Sequence, residues 1–229
     1  MGKVFVIGDI HGAYRALTQC FERSGFDYDN DQLICLGDVC DGWPETKRCI
    51  AELLSIRNLV YIMGNHDTWL LEWMQTGEIE NIWYVQGGEA SIMSYAGKAV
   101  PQEHILFLKE ALSYHVSGSR LFVHAGFDPE VPIHLQTRDT FLWDRTLART
   151  ALNRYSHGKN EKLTQYDEVY LGHTPIPYHK PIQACDVWMM DTGAGWNGNL
   201  SMMNVDTKEV FSSDLVPGLY PGIKGRSRG

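Results

Sequence analysis

The chain has 229 residues, a formal net charge of −8, 44% apolar side chains and 21% charged ones. That balance excludes extensive disorder, and no run of about 18 apolar residues is available to span a bilayer. An acidic chain also makes a poor partner for a nucleic-acid backbone, which is bound through Lys and Arg.

Residues 3–8 form a short apolar run that reads as a buried strand. Met1 to Asp9 reaches an acidic residue too soon for a secretory signal, so a cytoplasmic location is expected. Tyr14 to Arg23 reads as a helix and residues 32–36 as a second strand. Pro44 stands where a first helical turn would begin, and residues 45–56 carry apolar side chains at helical spacing. A third strand is expected at 59–63, with 68–74 helical beyond it. This alternation predicts an α/β fold with parallel strand pairs. Residues 85–113 read as mostly helical, an insertion or cap. Strands at 114–117 and 120–124 follow, then a polar helix over 144–156. Strands at 167–171, 182–190, 199–205 and 209–213, with turns such as Asn197-Gly198 and Asp206-Thr207, suggest a second, more antiparallel sheet. With no repeat and no linker, residues 1–221 read as one domain and 222–229 as a flexible basic tail. The cysteines (Cys20, Cys35, Cys40, Cys49 and Cys185) are odd in number and lack CxxC spacing, so neither a disulfide scaffold nor a thiolate zinc site is expected.

The chemistry gathers where strands end. Strand one runs into Gly8-Asp9-Ile10-His11-Gly12, strand two into Gly37-Asp38-Val39-Cys40-Asp41, strand three into Gly64-Asn65-His66-Asp67. Neighbouring parallel strands bring their carboxyl ends to one edge, where ligand sites form. Phe122-Val123-His124-Ala125-Gly126 and Tyr170-Leu171-Gly172-His173-Thr174 repeat the pattern. Asp-x-His sets two ligands on one side of an extended segment, and carboxylate with imidazole suits Mn, Fe or Zn. A single fragment of this kind is usually a turn or a satisfied edge residue. Five of them, all after strands and all with donors of the right type, point to a dinuclear site of the kind that hydrolyses phosphoesters.

In this order and spacing, the motifs resemble those of the phosphoprotein phosphatase family within the calcineurin-like metallophosphoesterases, in its bacterial and phage branch. The likeness extends to Leu142-Trp143-Asp144-Arg145 and to Asp191-Thr192-Gly193, and spans roughly residues 3–205. It implies a four-layer α/β/β/α sandwich with mixed sheets and a helical insertion. It further implies two divalent metal ions, with manganese the leading expectation and iron or zinc as alternatives. Asp9, His11 and Asp38 would hold the first ion. Asp38 would bridge to a second, completed by Asn65, His124 and His173. His66 would protonate the leaving oxygen with Asp41 orienting it, while Arg145, with Asn65, would bind the substrate phosphate. The attacking group would be water activated by the metals.

One departure stands out: Gly42 follows Asp41 where the family carries a phosphate-binding arginine. Arg48 is a candidate substitute, and Trp43 reads as either a packing residue or an aromatic wall. The remaining histidines (His104, His115, His134, His157 and His179) are expected in surface or packing roles. Asp67 is expected to shape its loop, and Trp69 and Trp73 to pack on one helical face. The function that follows is hydrolysis of phosphomonoesters, on phosphorylated protein side chains or small phosphoesters, with no membrane or nucleic-acid partner. Two rivals stay open: hydrolysis of dinucleoside polyphosphates or phosphodiesters, and a metal-stabilised binding module without turnover.

Overall fold

The computed structural model describes residues 2–226. Val4–Ile7 (β1) leads to Tyr14–Ser24 (α1), Gln32–Cys35 (β2), Thr46–Leu54 (α2), Asn58–Tyr61 (β3) and Asn65–Thr76 (α3). An insertion follows with Asn81–Trp83 (α4), a π-helical turn at Tyr84–Gly88, Glu89–Ser94 (α5) and Gln102–Lys109 (α6). Next come Tyr114–Ser117 (β4), Arg120–Val123 (β5), a short 3-10 turn at Ile133–Leu135, Arg138–Trp143 (α7), Thr146–Ser156 (α8) and Glu168–Leu171 (β6). Ile182–Ala184 (β7), Val187–Met189 (β8), Ser201–Asn204 (β9), Val210–Ser212 (β10) and Val216–Leu219 (α9) complete the order.

The strands form two five-stranded mixed sheets, ordered β10-β9-β1-β2-β3 and β4-β5-β6-β8-β7. In the first, β1, β2 and β3 are parallel; in the second, β5, β6 and β8 are. Period-two alternation explains how both faces are used. Phe5, Ile7, Leu33 and Cys35 turn toward α1, α2 and the insertion, whereas Val6, Ile34 and Leu36 turn the other way. The latter meet Phe122, Tyr170 and Met190 of the second sheet, whose opposite face buries Leu121, Val123, Val169 and Leu171 beneath α7 and α8. Helices therefore lie outside and the two sheets face each other, which is the four-layer arrangement.

Several expectations are corrected. The predicted 68–74 helix starts at Asn65, because Asp67 in its first turn accepts from the Gly64 amide and caps it. The 85–113 stretch is helical in separate pieces: Gly87 at φ 117° breaks it at the π-helical turn, and 95–101 is irregular. Residues 182–190 form two strands around Cys185, which takes φ 59°. The last strands do not extend a second antiparallel sheet. Instead β9 pairs with β1 and covers its open edge, and β10 pairs with β9. A hairpin signature such as Asp206-Thr207 reports the pairing inside the hairpin and carries no information on which sheet it joins. Among the described residues, no helix is long and apolar enough to cross a membrane.

Candidate metal centre

All six parallel strands deliver a polar side chain to the same edge. Asp9 follows β1, Asp38 follows β2, Asn65 and His66 follow β3, His124 follows β5, His173 follows β6 and Asp191 follows β8. The loops are tied together by their own backbone. Ile10 and His11 amides donate to the Asp38 carbonyl at 3.0 and 2.8 Å, and the Gly172 amide donates to the His124 carbonyl at 2.9 Å. Two glycines are required by close approach: a Cβ at Gly64 would lie 2.1 Å from Asp38 Oδ1, and one at Gly172 would lie 2.3 Å from Asp9 Oδ1.

Two clusters of donor atoms result, Asp9–His11–Asp38 and Asp38–His124–His173, each with its ligand atoms within 4.8 Å of one another and all buried. Asp38 belongs to both. His11 Nδ1 donates to the Cys40 carbonyl at 2.8 Å and His124 Nδ1 to the Leu36 carbonyl at 2.7 Å. A neutral imidazole so engaged carries its lone pair on Nε2. His11 Nε2 then faces Asp9 Oδ2 at 3.9 Å and Asp38 Oδ2 at 3.8 Å, acceptor against acceptor. His124 Nε2 lies 3.6 Å from Asp38 Oδ1 and 3.0 Å from the Asn65 amide oxygen. His173 Nε2 is buried without a hydrogen-bond partner among the described residues. Lone pairs converging on shared points are what a cation satisfies, so the residues fit two divalent ions.

The electrostatics agree. Burial and the neighbouring Asp191 and Asp38 push the Asp9 carboxyl well above its usual range, and burial raises Asp38 as well. Burial pushes Asp191 up to about 6. Burial lowers His11 and His173, and takes His124 down to about 4, which keeps these rings neutral and able to ligate. Asp67 stays out of both clusters. It accepts from the amides of Asp38, Val39 and Gly64 and from the Tyr61 hydroxyl, so it shapes the loops as expected.

Beside the clusters, His66 Nδ1 meets Asp41 Oδ2 at 2.6 Å. The insertion supplies the rest of the Asp41 environment: Trp83 Nε1 donates to Oδ2 and the Ser91 hydroxyl to Oδ1, both at 2.7 Å. Burial, opposed by Asp38 and reinforced by Arg226, His124 and Arg145, takes His66 down to about 3, while burial takes Asp41 up to about 7. Proton and charge belong to the pair as a unit.

Arg145 lies at the start of α8, in a groove of about 680 Å³ that it lines with Arg149, His173, Tyr178, Trp196 and Arg226. Arg48 does not reach the site; it pairs with Glu45 and lies over the Tyr14 ring. Trp43 is buried, donates to the Ala194 carbonyl at 2.7 Å and stacks on Tyr220, so it packs and forms no wall. The aromatic flank is instead Trp69, edge-on to His66 at 5.2 Å and to Trp143 at 5.3 Å, with Trp73 packed on Trp83 and Tyr95. His104 is buried against the Tyr95 hydroxyl, while His134, His157 and His179 are exposed.

Sequence reasoning did not single out Asp191, Trp83, Ser91 or Arg226 as site residues. Asp191 had a readable signal, since it follows a strand as Asp9 and Asp38 do. The others sit in segments without a motif. Part of the expected flexible tail, 227–229, lies outside the described residues; 222–226 bring Arg226 Nη1 to 3.2 Å from His11 Nε2.

Residues 2–196 match the family model for calcineurin-like phosphoesterases. Serine/threonine-protein phosphatase 1 of Salmonella typhimurium is 25% identical over 214 residues, covering 88% of this chain and 91% of that protein. The symmetrical bis(5'-nucleosyl)-tetraphosphatase of Pseudomonas fluorescens is 24% identical over 271 residues, covering 91% and 93%. Among solved structures, a putative diadenosine tetraphosphatase superposes with a TM-score of 0.69 at 18% identity over 92% of each chain, a likeness of fold. With the match across most of its length and the paired donor clusters, this chain belongs to the calcineurin-like phosphoesterases and is a metal-dependent phosphoester hydrolase.

Proposed function

We propose that the chain hydrolyses phosphomonoesters, either phosphorylated side chains of proteins or small phosphoesters, with two divalent ions of which manganese is the first choice. The observation that carries this reading is the pair of donor clusters sharing Asp38 beside the His66–Asp41 pair. Asp9, His11 and Asp38 would hold one ion, and Asp38, Asn65, His124 and His173 the other; mixed carboxylate, amide and imidazole donors suit Mn²⁺. When bound, such ions supply an activated water and neutralise phosphate charge. The chain's own residues do the remainder. Arg145 would grip phosphate oxygens from the groove, since its planar fork of N–H donors matches them. His66, held through Nδ1 by Asp41, keeps Nε2 for the leaving oxygen and would hand it a proton. Trp69 and Trp143 would flank that leaving group. The Salmonella relative, named for serine/threonine-protein phosphatase activity, supports the monoester reading. Five unpaired cysteines suit a reducing compartment, and with it the cytoplasm.

A second reading draws on the groove itself. Arg145, Arg149, Tyr178 and Trp196 give it room for several phosphates and a stacked base, which favours a dinucleoside polyphosphate, as the name of the Pseudomonas relative suggests. Initial rates on 4-nitrophenyl phosphate, bis(4-nitrophenyl) phosphate and diadenosine tetraphosphate, after chelation and Mn²⁺ addition, separate the two. Mn-dependent turnover led by the monoester is expected. Preference for the dinucleotide would replace the first reading with the second, and no turnover on any of them would overturn both.

A further inference from the structure

Residues 222–226 lie beyond the stretch that matches the family, yet they run back across the site. The Arg226 amide donates to the Gly195 carbonyl at 2.9 Å, its Nε to the Gln86 carbonyl at 3.2 Å, and its guanidinium lies over the Trp196 ring at 4.7 Å. Gly42 makes the passage possible: a Cβ there would meet Arg226 Cγ at 2.8 Å, and its φ of 109° is one that side-chain-bearing residues avoid. Gly225 passes against the buried Trp43 ring in the same way.

The guanidinium is anchored but under-used. It carries five N–H donors, and its partners are the Gln86 carbonyl and His11 Nε2. No carboxylate forms an ion pair with it among the described residues, although Asp9, Asp38 and Asp191 are near. The face that remains borders the groove, where Arg145 and Arg149 likewise have no ion pair among the described residues. His11 Nε2 is the lone pair that a metal ion would take, and an ion there would release Nη1 as well. Three guanidiniums around one concave surface, none held in an ion pair among the described residues, form a site for an anion with several oxygens.

We infer that Arg226 is a substrate-binding residue that, with Arg145, holds the phosphate of the ester over the metal centre, supplied by a segment outside the family domain. This assignment rests on the phosphoester reading for its substrate, though the phosphate contact can be tested without turnover. The experiment compares wild type, Arg226→Ala and Arg226→Lys, each loaded with Mn²⁺, by calorimetric titration with inorganic phosphate and by kcat and KM on 4-nitrophenyl phosphate. Arg226→Ala should weaken phosphate binding about tenfold or more and raise KM in step, with kcat changed less; lysine should recover part of the loss. Unchanged phosphate affinity in Arg226→Ala overturns the assignment. So does tighter Mn²⁺ binding with faster turnover, which would mark the segment as a strap competing with metal. Weaker phosphate binding in Arg226→Ala, with a wild type inactive on monoesters, would leave this assignment standing and remove the monoester reading alone.

Discussion

Four of the site's side chains stand on backbone that L-residues seldom adopt: His11, Asp38, Asp41 and His173 have φ between 51° and 73°. Left-handed conformation costs roughly 1–2 kcal/mol per residue, and Asp and His are among the residues that tolerate it best. Strain of this kind persists where surrounding bonds over-determine the position, and here the loops are stitched by the Asp38 carbonyl and the Asp67 carboxylate. The His66–Asp41 pair shows a second local balance. With Asp41 taken up to about 7 and His66 down to about 3, the pair sheds its transferable proton as pH rises through about 7. Turnover of an alkyl phosphate should therefore fall above that pH, because the acid form is lost. Replacing His66 by Asn should slow alkyl phosphates by about 10²–10⁴ and 4-nitrophenyl phosphate far less, since a good leaving group needs little proton help. Equal losses on both, or an unchanged alkaline limb for the alkyl ester, would remove the acid role from His66.

The insertion between β3 and β4 acts on the site through two side chains, Trp83 and Ser91, that clamp Asp41. Removing the indole donor in Trp83→Phe withdraws a bond that lowers the Asp41 pKa. The alkaline limb should then move to higher pH, and kcat should fall by about tenfold, less than the roughly 10²–10⁴ of a full acid–base contribution, because the acid itself is kept. A pH–rate profile identical to wild type would reduce Trp83 to a packing residue. This element also marks the limit of what the sequence carries. The strand-end loops were legible because Asp9-x-His11, Asp38, Asn65-His66, His124 and His173 each follow an apolar run, and local pattern is enough to place them. The partners of Asp41 were not, because they come from 42 and 50 residues away on short helices whose apolar spacing reports only burial. For the same reason the apolar runs of β1 and β2 were legible as strands, while the placement of β9 against β1 depended on an edge that no local window contains. Arg226 lay in a Gly-rich basic stretch whose composition alone reads as unstructured.

At the scale of the whole molecule, the two sheets are joined at their far end by charge as well as by the apolar layer. Lys208, in the β9–β10 turn of one sheet, reaches Glu168 and the Tyr170 hydroxyl on β6 of the other, and Arg120 on β5 reaches Glu168 and Asp206. Burial by itself would raise Glu168, but bonds from Lys208 and Tyr170 hold it below its ordinary range. A carboxyl depressed in the fold contributes stability above its unfolded pKa and loses it as pH falls through the folded one. Glu168→Gln should therefore cost about 1 kcal/mol at pH 7 and progressively less as pH falls through the folded pKa of Glu168, as read by urea unfolding over an acid pH series. A constant difference across pH would assign the loss to packing. The donor sets divide unevenly between the halves: Asp9, His11 and Asp38 all come from the first sheet, whereas His124 and His173 come from the second. On the proposed ligand set, one ion is then a tenant of a single half, and the other is a clasp that closes one half on the other. Thermal melting with Mn²⁺ should distinguish them, with His11→Ala keeping most of the metal-dependent rise and His173→Ala losing it. The ion that bridges would thus set how firmly the halves stay shut, leaving its neighbour free to come and go without loosening the molecule.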